Sequence, residues 1–162
     1  MMQSLETCST VTTIPEGFGW VRDVEIVGEG VGLDFENYTY TNRQIGDKGE
    51  ELAALYLERM GVEVLERNWR CSYGEVDIIA RDGDTVILLE VKTRLVRDDD
   101  DEIEPEQAVG KRKRNKYEKL ALVYLAKQTQ VDSVRFDVAA VKILGKDHAQ
   151  LHYTPTAYEW GS

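Results

Sequence analysis

From Asn42 onward the chain changes rhythm four times. Ile45, Leu52, Ala53, Leu55, Tyr56, Leu57 and Met60 form a broad apolar stripe at helical spacing, and Gly61 suits the left-handed position just past a helix end. Residues 62–69 then read as the first core strand. Next comes GEVDIIARDGDTVILLEVKTR over residues 74–94, which predicts strands at 75–80 and 85–92 joined at Arg81-Asp82-Gly83-Asp84. Asp-Gly between runs of Val, Ile and Leu is a strong hairpin signal. Pro105 opens a second helix, basic at first and apolar later, at Leu120, Ala121, Val123, Tyr124 and Leu125. Residues 134–143 predict a further strand, with Phe136, Val138 and Ala140 alternating against Arg135, Asp137 and Ala139, and residues 151–153 a short last one. Helix, strand, hairpin, helix, strand is the order of an α/β domain with a mixed central β-sheet flanked by α-helices.

Residues 1–40 follow no such rhythm. Ser and Thr dominate up to Thr13, and Gly recurs from Gly17 to Gly32. Two alternating pieces, 20–27 and 31–35, suit a small hairpin around Gly28-Glu29-Gly30; a flexible acidic extension suits the composition equally well. Two parts are thus expected, an N-terminal extension over 1–40 and a domain over 42–158.

The central hairpin carries the chemistry. With Asp82-Gly83 as its two-residue loop, Arg81 faces Asp84, Asp77 faces Leu88 and Glu75 faces Glu90. One side of the sheet then holds Glu75, Asp77, Glu90 and Lys92, with Ile79, Val86 and Leu88 nearer the turn. The other holds Val76, Ile78, Ala80, Ile87, Leu89 and Val91, all apolar. Asp77 and Glu90 become diagonal neighbours, with Cα atoms roughly 7–8 Å apart. Two carboxylates so placed can converge on one hard cation such as Mg²⁺. Lys92 stands beside Glu90 on the same side. Alone, a D…E-x-K string describes many solvated surfaces, but here the acids border buried apolar positions, where charges need a partner. Glu50 leans toward the sheet from the first helix and is the candidate third carboxylate; a favourable interaction with the helix N-terminus explains it equally well.

Charge qualifies this picture. The 162 residues carry a net charge of -10, which argues against a generic nucleic-acid binder. The acidity is local, however. Residues 1–40 contain seven acidic residues and one basic one, and Asp98-Asp99-Asp100-Asp101-Glu102 forms a second block. Basic residues gather elsewhere. Arg67 and Arg70 flank Asn68-Trp69, an arrangement that steers nucleic acid or caps a sheet edge. Lys111, Arg112, Lys113 and Arg114 open the second helix, either toward a phosphate backbone or as a solvated helix end. Cys8, Cys71, His148 and His152 have no zinc-binding spacing. No apolar run reaches the length of a membrane span and no secretory leader pattern opens the chain, so no membrane partner and a cytoplasmic, reducing setting are expected.

Gly49-Glu50, Arg67-Asn68-x-Arg70, Gly74-Glu75-Val76-Asp77, Glu90-Val91-Lys92-x-Arg94, the basic helix start and Arg135-Phe136-Asp137 together resemble the bacterial YraN-like family. That family is similar to archaeal Holliday-junction resolvases and carries a restriction-endonuclease-like nuclease core. The resemblance implies that Glu50, Asp77 and Glu90 hold Mg²⁺ or Mn²⁺, helped by the Val91 carbonyl. It implies that Lys92 orients or deprotonates the attacking water, or stabilises charge on the phosphate. Arg67, Arg70, Arg94 and the basic helix start would then meet DNA. A metal-dependent endonuclease for branched or structured DNA is the activity implied, and a symmetric homodimer would match the two-fold character of a four-way junction. The acidic run at 98–102 departs from the family pattern. It favours the other reading, a nucleic-acid-binding or assembly module that keeps the nuclease fold without independent catalysis.

Overall fold

Helix α1 (Asn42–Arg59) is delimited at both ends by its own sequence. The Thr41 hydroxyl accepts the Gln44 amide hydrogen at 3.1 Å and the Gln44 side chain accepts that of Thr41 at 2.8 Å, a reciprocal capping box. At the far end Gly61 has φ +81°, its amide bonds to the Glu58 carbonyl, and the Val62 amide bonds to that of Leu57. This Schellman pattern brings Val62 and Leu57, both buried, together as a hydrophobic stop.

The structure, a computed structural model, describes residues 22–97, 111–128, 131 and 133–159. Among them, six strands join one mixed sheet: β1 (Arg22–Val27), β2 (Glu63–Cys71), β3 (Gly74–Asp82), β4 (Thr85–Leu95), β5 (Ser133–Gly145) and β6 (His148–Glu159). Their order across the sheet is β1-β6-β5-β4-β3-β2. A second helix, α2, is described over Lys111–Leu125. The helix start expected at Pro105 and the acidic run at 98–102 lie outside the described residues.

Contacts divide the described residues into two units. The first gathers 22–53, 91–97 and 139–153. Here β1 runs antiparallel to β6, from Arg22 opposite Tyr153 to Val27 opposite His148. Val24, Ile26, Leu52, Val141, Ile143, Leu151 and Tyr153 are buried in it. The piece at 31–35 does not form a hairpin with β1. It docks on the turn between β5 and β6 instead, through the Gly32 amide to the Lys146 carbonyl at 2.8 Å and the Leu33 amide to that of Gly145 at 3.0 Å. Lys48 of α1 secures the same loop with a bond to the Gly30 carbonyl at 3.0 Å.

The second unit gathers 54–90, 111–128, 131, 133–138 and 154–159. Its core is Val76, Ile79, Val86 and Leu88 packed with Leu120, Ala121 and Tyr124 of α2 and Val134 and Phe136 of β5. The expected alternation on β5 fails: Phe136 is 2% exposed and Asp137 only 1%, so consecutive residues are both covered, as on an interior strand. On edge strand β2, Asn68 has φ +53° and the register against β3 slips between Val64 and Glu66.

The hairpin turn also differs from expectation. The ladder runs from Asp82 opposite Thr85 to Ile78 opposite Leu89, so the loop is Gly83-Asp84 and not Asp82-Gly83. Gly83 has φ +60° and Asp84 is not in the positive-φ region, which matches a type II′ turn with glycine first. The register is therefore displaced by two residues. An even displacement keeps side chains on their faces wherever the alternation is regular. The ladder reaches Ile78 and Leu89, the residues next to Asp77 and Glu90. Val76 departs from its expected apolar face and joins the cluster of Ile79 and Leu88. The alternation breaks there, beside the non-extended backbone of Asn68.

Candidate functional site

Helix α2 reads Tyr117, Leu120, Ala121, Tyr124 at helical spacing, and the last three enter the core of the second unit. Tyr117 continues that stripe one turn earlier, where the apolar floor gives way to the acids of β3 and β4. Its ring stacks on Phe136 with centroids 5.2 Å apart and planes 18° from parallel. Its hydroxyl donates to Glu90 Oε2. The ring is fixed by packing, and its polar end is directed at one carboxylate oxygen.

A cavity of about 140 Å³ opens at this point. Val76, Leu88 and Leu89 contribute its apolar surface, and Glu75, Asp77, Glu90, Lys116 and Tyr117 its polar one. Asp77 and Glu90 are half-buried, while Glu75 is exposed and pairs with Arg70 Nε at 3.2 Å. Lys116 comes in from α2 across Gly74: a Cβ on that glycine would lie 2.7 Å from Lys116 Cε.

Two half-buried carboxylates on one cavity are hard oxygen donors. They fit a cation such as Mg²⁺, which keeps several of its waters and takes only one or two protein carboxylates. Among the described residues no group of three or more His, Cys, Asp or Glu side chains is gathered as a metal cluster. The geometry thus joins Asp77 to Glu90. The other expected residues are placed as follows. Glu50 is half-buried on α1 in the first unit, next to Gly49, whose backbone touches Thr93 so closely that a Cβ would fall 2.7 Å from the Thr93 Cβ. Val91 is half-buried and Lys92 and Arg94 are exposed on β4, all three in the first unit. Arg67 and Arg70 are exposed on β2. Lys111, Arg112, Lys113 and Arg114 form the first turn of α2 as described, and their side chains lie outside the described residues.

Two features escaped the sequence reading. One is Tyr117, whose signal was a tyrosine on an apolar stripe: a phenol carried into a core brings a hydroxyl that needs a partner. The other is the pairing of Arg135 with Asp137, which the motif set includes without a role: the guanidinium donates from Nε at 3.0 Å to Oδ1 and from Nη2 at 3.0 Å to Oδ2. Deeper in the same unit, burial pushes the Tyr124 hydroxyl above its ordinary value of 10.0; Glu66 adds to the rise and Arg81 opposes it.

Comparison with known proteins gives this arrangement a family. The model of "Uncharacterised protein family UPF0102" matches residues 49–141, more than half of the chain. The chain belongs to that family. UPF0102 is the YraN-like family that the motif order resembled. A UPF0102 protein of Geobacter metallireducens is 44% identical over 119 residues, covering 73% of this chain and 94% of that protein. One from Geobacter sulfurreducens is 40% identical over 134 residues, covering 82% and 96%. One from Syntrophus aciditrophicus is 47% identical over 103 residues, covering 63% and 79%. The UPF0102 match takes in α1 from Gly49, β2, β3, β4, α2 and β5 through Val141, and so every residue of the acidic cavity. No helix among the described residues is long and apolar enough to cross a membrane.

Proposed function

We propose that this UPF0102 protein is a metal-dependent endonuclease with a restriction-endonuclease-like core, hydrolysing phosphodiester bonds in branched DNA. The observation that carries the reading is Asp77 and Glu90 on one cavity, floored by apolar residues and edged by Lys116. Asp77 and Glu90 would supply oxygens for Mg²⁺ or Mn²⁺, and the family resemblance adds Glu50 and the Val91 carbonyl to the proposed ligands. A cation held there supplies a Lewis acid for the phosphoryl oxygens and lowers the pKa of a bound water.

The remaining chemistry belongs to the side chains. Tyr117 holds the Glu90 carboxylate in one orientation through its hydroxyl, so the donor oxygens need not reorganise during the reaction. Lys92, two residues beyond Glu90, either orients the attacking water or, as a neutral amine, takes its proton, or else as an ammonium stabilises the negative charge that grows on the phosphate. Lys116 adds a second positive charge at the cavity wall. Arg67, Arg70, Arg94 and the basic start of α2 contact the DNA backbone. A two-fold homodimer would present two such sites to the two-fold symmetry of a junction.

The test is a panel of branched, single-stranded and duplex DNAs with Mg²⁺ or Mn²⁺, comparing the wild type with Asp77→Ala, Glu90→Ala and Lys92→Ala. Each substitution should lower cleavage by roughly 10²-fold or more while urea unfolding midpoints stay close to wild type. Cleavage that ignores all three changes refutes the proposal. The acidic run at 98–102 favours a second reading, a nucleic-acid-binding or assembly module that keeps the fold without turnover. Metal-independent DNA binding with no product on any substrate would establish it.

A further inference from the structure

Next to the cavity, the tight turn between β2 and β3 carries an aromatic ring outside the core. Tyr73 is 51% exposed at the tip of that turn. Lys119 of α2 sets its ammonium over the ring, 5.5 Å from the centroid. Lys116, one turn earlier on the same helix, crosses Gly74 immediately after Tyr73 and lines the cavity with Asp77 and Glu90. The acids, one ammonium, the ring and a second ammonium therefore follow one another along a single surface of the second unit. Leu122, three residues beyond Lys119, is 57% exposed.

A ring open to solvent and flanked by cations is the equipment with which proteins hold unpaired nucleotides. The base stacks on the ring, and the ammonium groups follow the phosphates. A blunt duplex offers such a site only its phosphates, because its bases are already stacked on each other. We infer that Tyr73, Lys119 and Lys116 form a subsite for an unpaired nucleotide beside the scissile phosphate. The substrate class is then DNA with a single-stranded segment adjoining the branch. This inference rests on the nuclease reading for the role of the neighbouring cavity, but the subsite itself binds without any metal.

Tyr73 can be changed without disturbing the turn, since only its backbone amide bonds to Cys71 Sγ, at 3.4 Å. Fluorescence anisotropy in EDTA would compare a labelled single strand of about 12 nucleotides with a duplex of the same sequence, across a salt series. The wild type should prefer the single strand. Tyr73→Ala should weaken that binding by roughly 5- to 100-fold and leave the duplex within about twofold, while Tyr73→Trp retains the preference. Lys119→Ala should reduce the slope of log K against log salt by about 0.7. A wild type that does not bind the single strand, or a Tyr73→Ala variant that binds it as the wild type does, overturns the inference. Because EDTA prevents any metal-dependent step, Tyr73-dependent binding without cleavage in the Mg²⁺ panel would sink the nuclease reading and leave the subsite standing. Cleavage with Tyr73-independent binding would do the reverse.

Discussion

Replacing Gly49 by alanine sets two opposed effects against each other at one position. Gly49 lies inside α1, where alanine is the better helix former by about 1 kcal/mol. It is also buried against β4, where the added methyl would stand 1.7 Å from Thr93 Oγ1 and 2.7 Å from both Thr93 Cβ and Cγ2. Rotation about χ1 can move Oγ1 and Cγ2 aside, but Cβ is fixed to the strand. The helix must then retreat from 2.7 Å to the 3.4 Å of ordinary contact, loosening its packing at Leu52 and Ala53, which are 2% and 0% exposed. Overpacking of this kind costs typically 1–3 kcal/mol, and a backbone-anchored obstacle belongs near the top of that range. The net expectation for Gly49→Ala is a loss of about 2 kcal/mol, or roughly 30-fold in the folding equilibrium. Urea denaturation followed by circular dichroism measures it directly. Thr93→Gly removes all three obstructing atoms, so the double variant should recover at least about 1 kcal/mol relative to the sum of the single changes. A Gly49→Ala protein as stable as the wild type, or more stable, would refute the close approach.

Other expectations are simpler. Arg135→Ala should destabilise the fold by about 3 kcal/mol in the same assay, because it takes from the carboxylate of Asp137, whose side chain is 0% exposed, its three guanidinium bonds. The raised Tyr124 hydroxyl disfavours ionisation in the folded state. Its contribution is fully present below the ordinary value near 10.0 and is lost as pH rises toward the higher folded value. Urea midpoints should accordingly fall between about pH 9 and pH 11 more steeply in the wild type than in Tyr124→Phe, and equal slopes would contradict the assignment.

How far the sequence reached can be judged residue by residue. Helix α1 was legible because its stripe and Gly61 are local signals, and local hydrogen bonds enforce them. The meeting of Asp77 and Glu90 at one cavity was legible in outline, since an error of two residues in the turn preserves parity, although the break in alternation at Val76 means parity alone does not account for it. The turn itself was not, since Asp82-Gly83 and Gly83-Asp84 are both good loop dipeptides; the positive φ of Gly83 at the first loop position decides between them. The partner of β1 was illegible for a different reason: Arg22 meets Tyr153 across almost the whole chain, and no short-range pattern encodes that choice. The burial of Asp137 was hidden because alternating charge on a strand reads as a wet face unless the cover on both sides is known.

Edge strand β2 has one more implication. Its outer backbone is unclaimed within the sheet order, the usual invitation for a second chain to add on. The slip between Val64 and Glu66 and the left-handed Asn68 interrupt the straight row of donors and acceptors such an addition needs. Glu63, Glu66, Arg67 and Arg70, all exposed, place like and unlike charges along the same rim. This irregular, charged border therefore works against fibrous self-association, and straightening it would trade that protection for a longer strand.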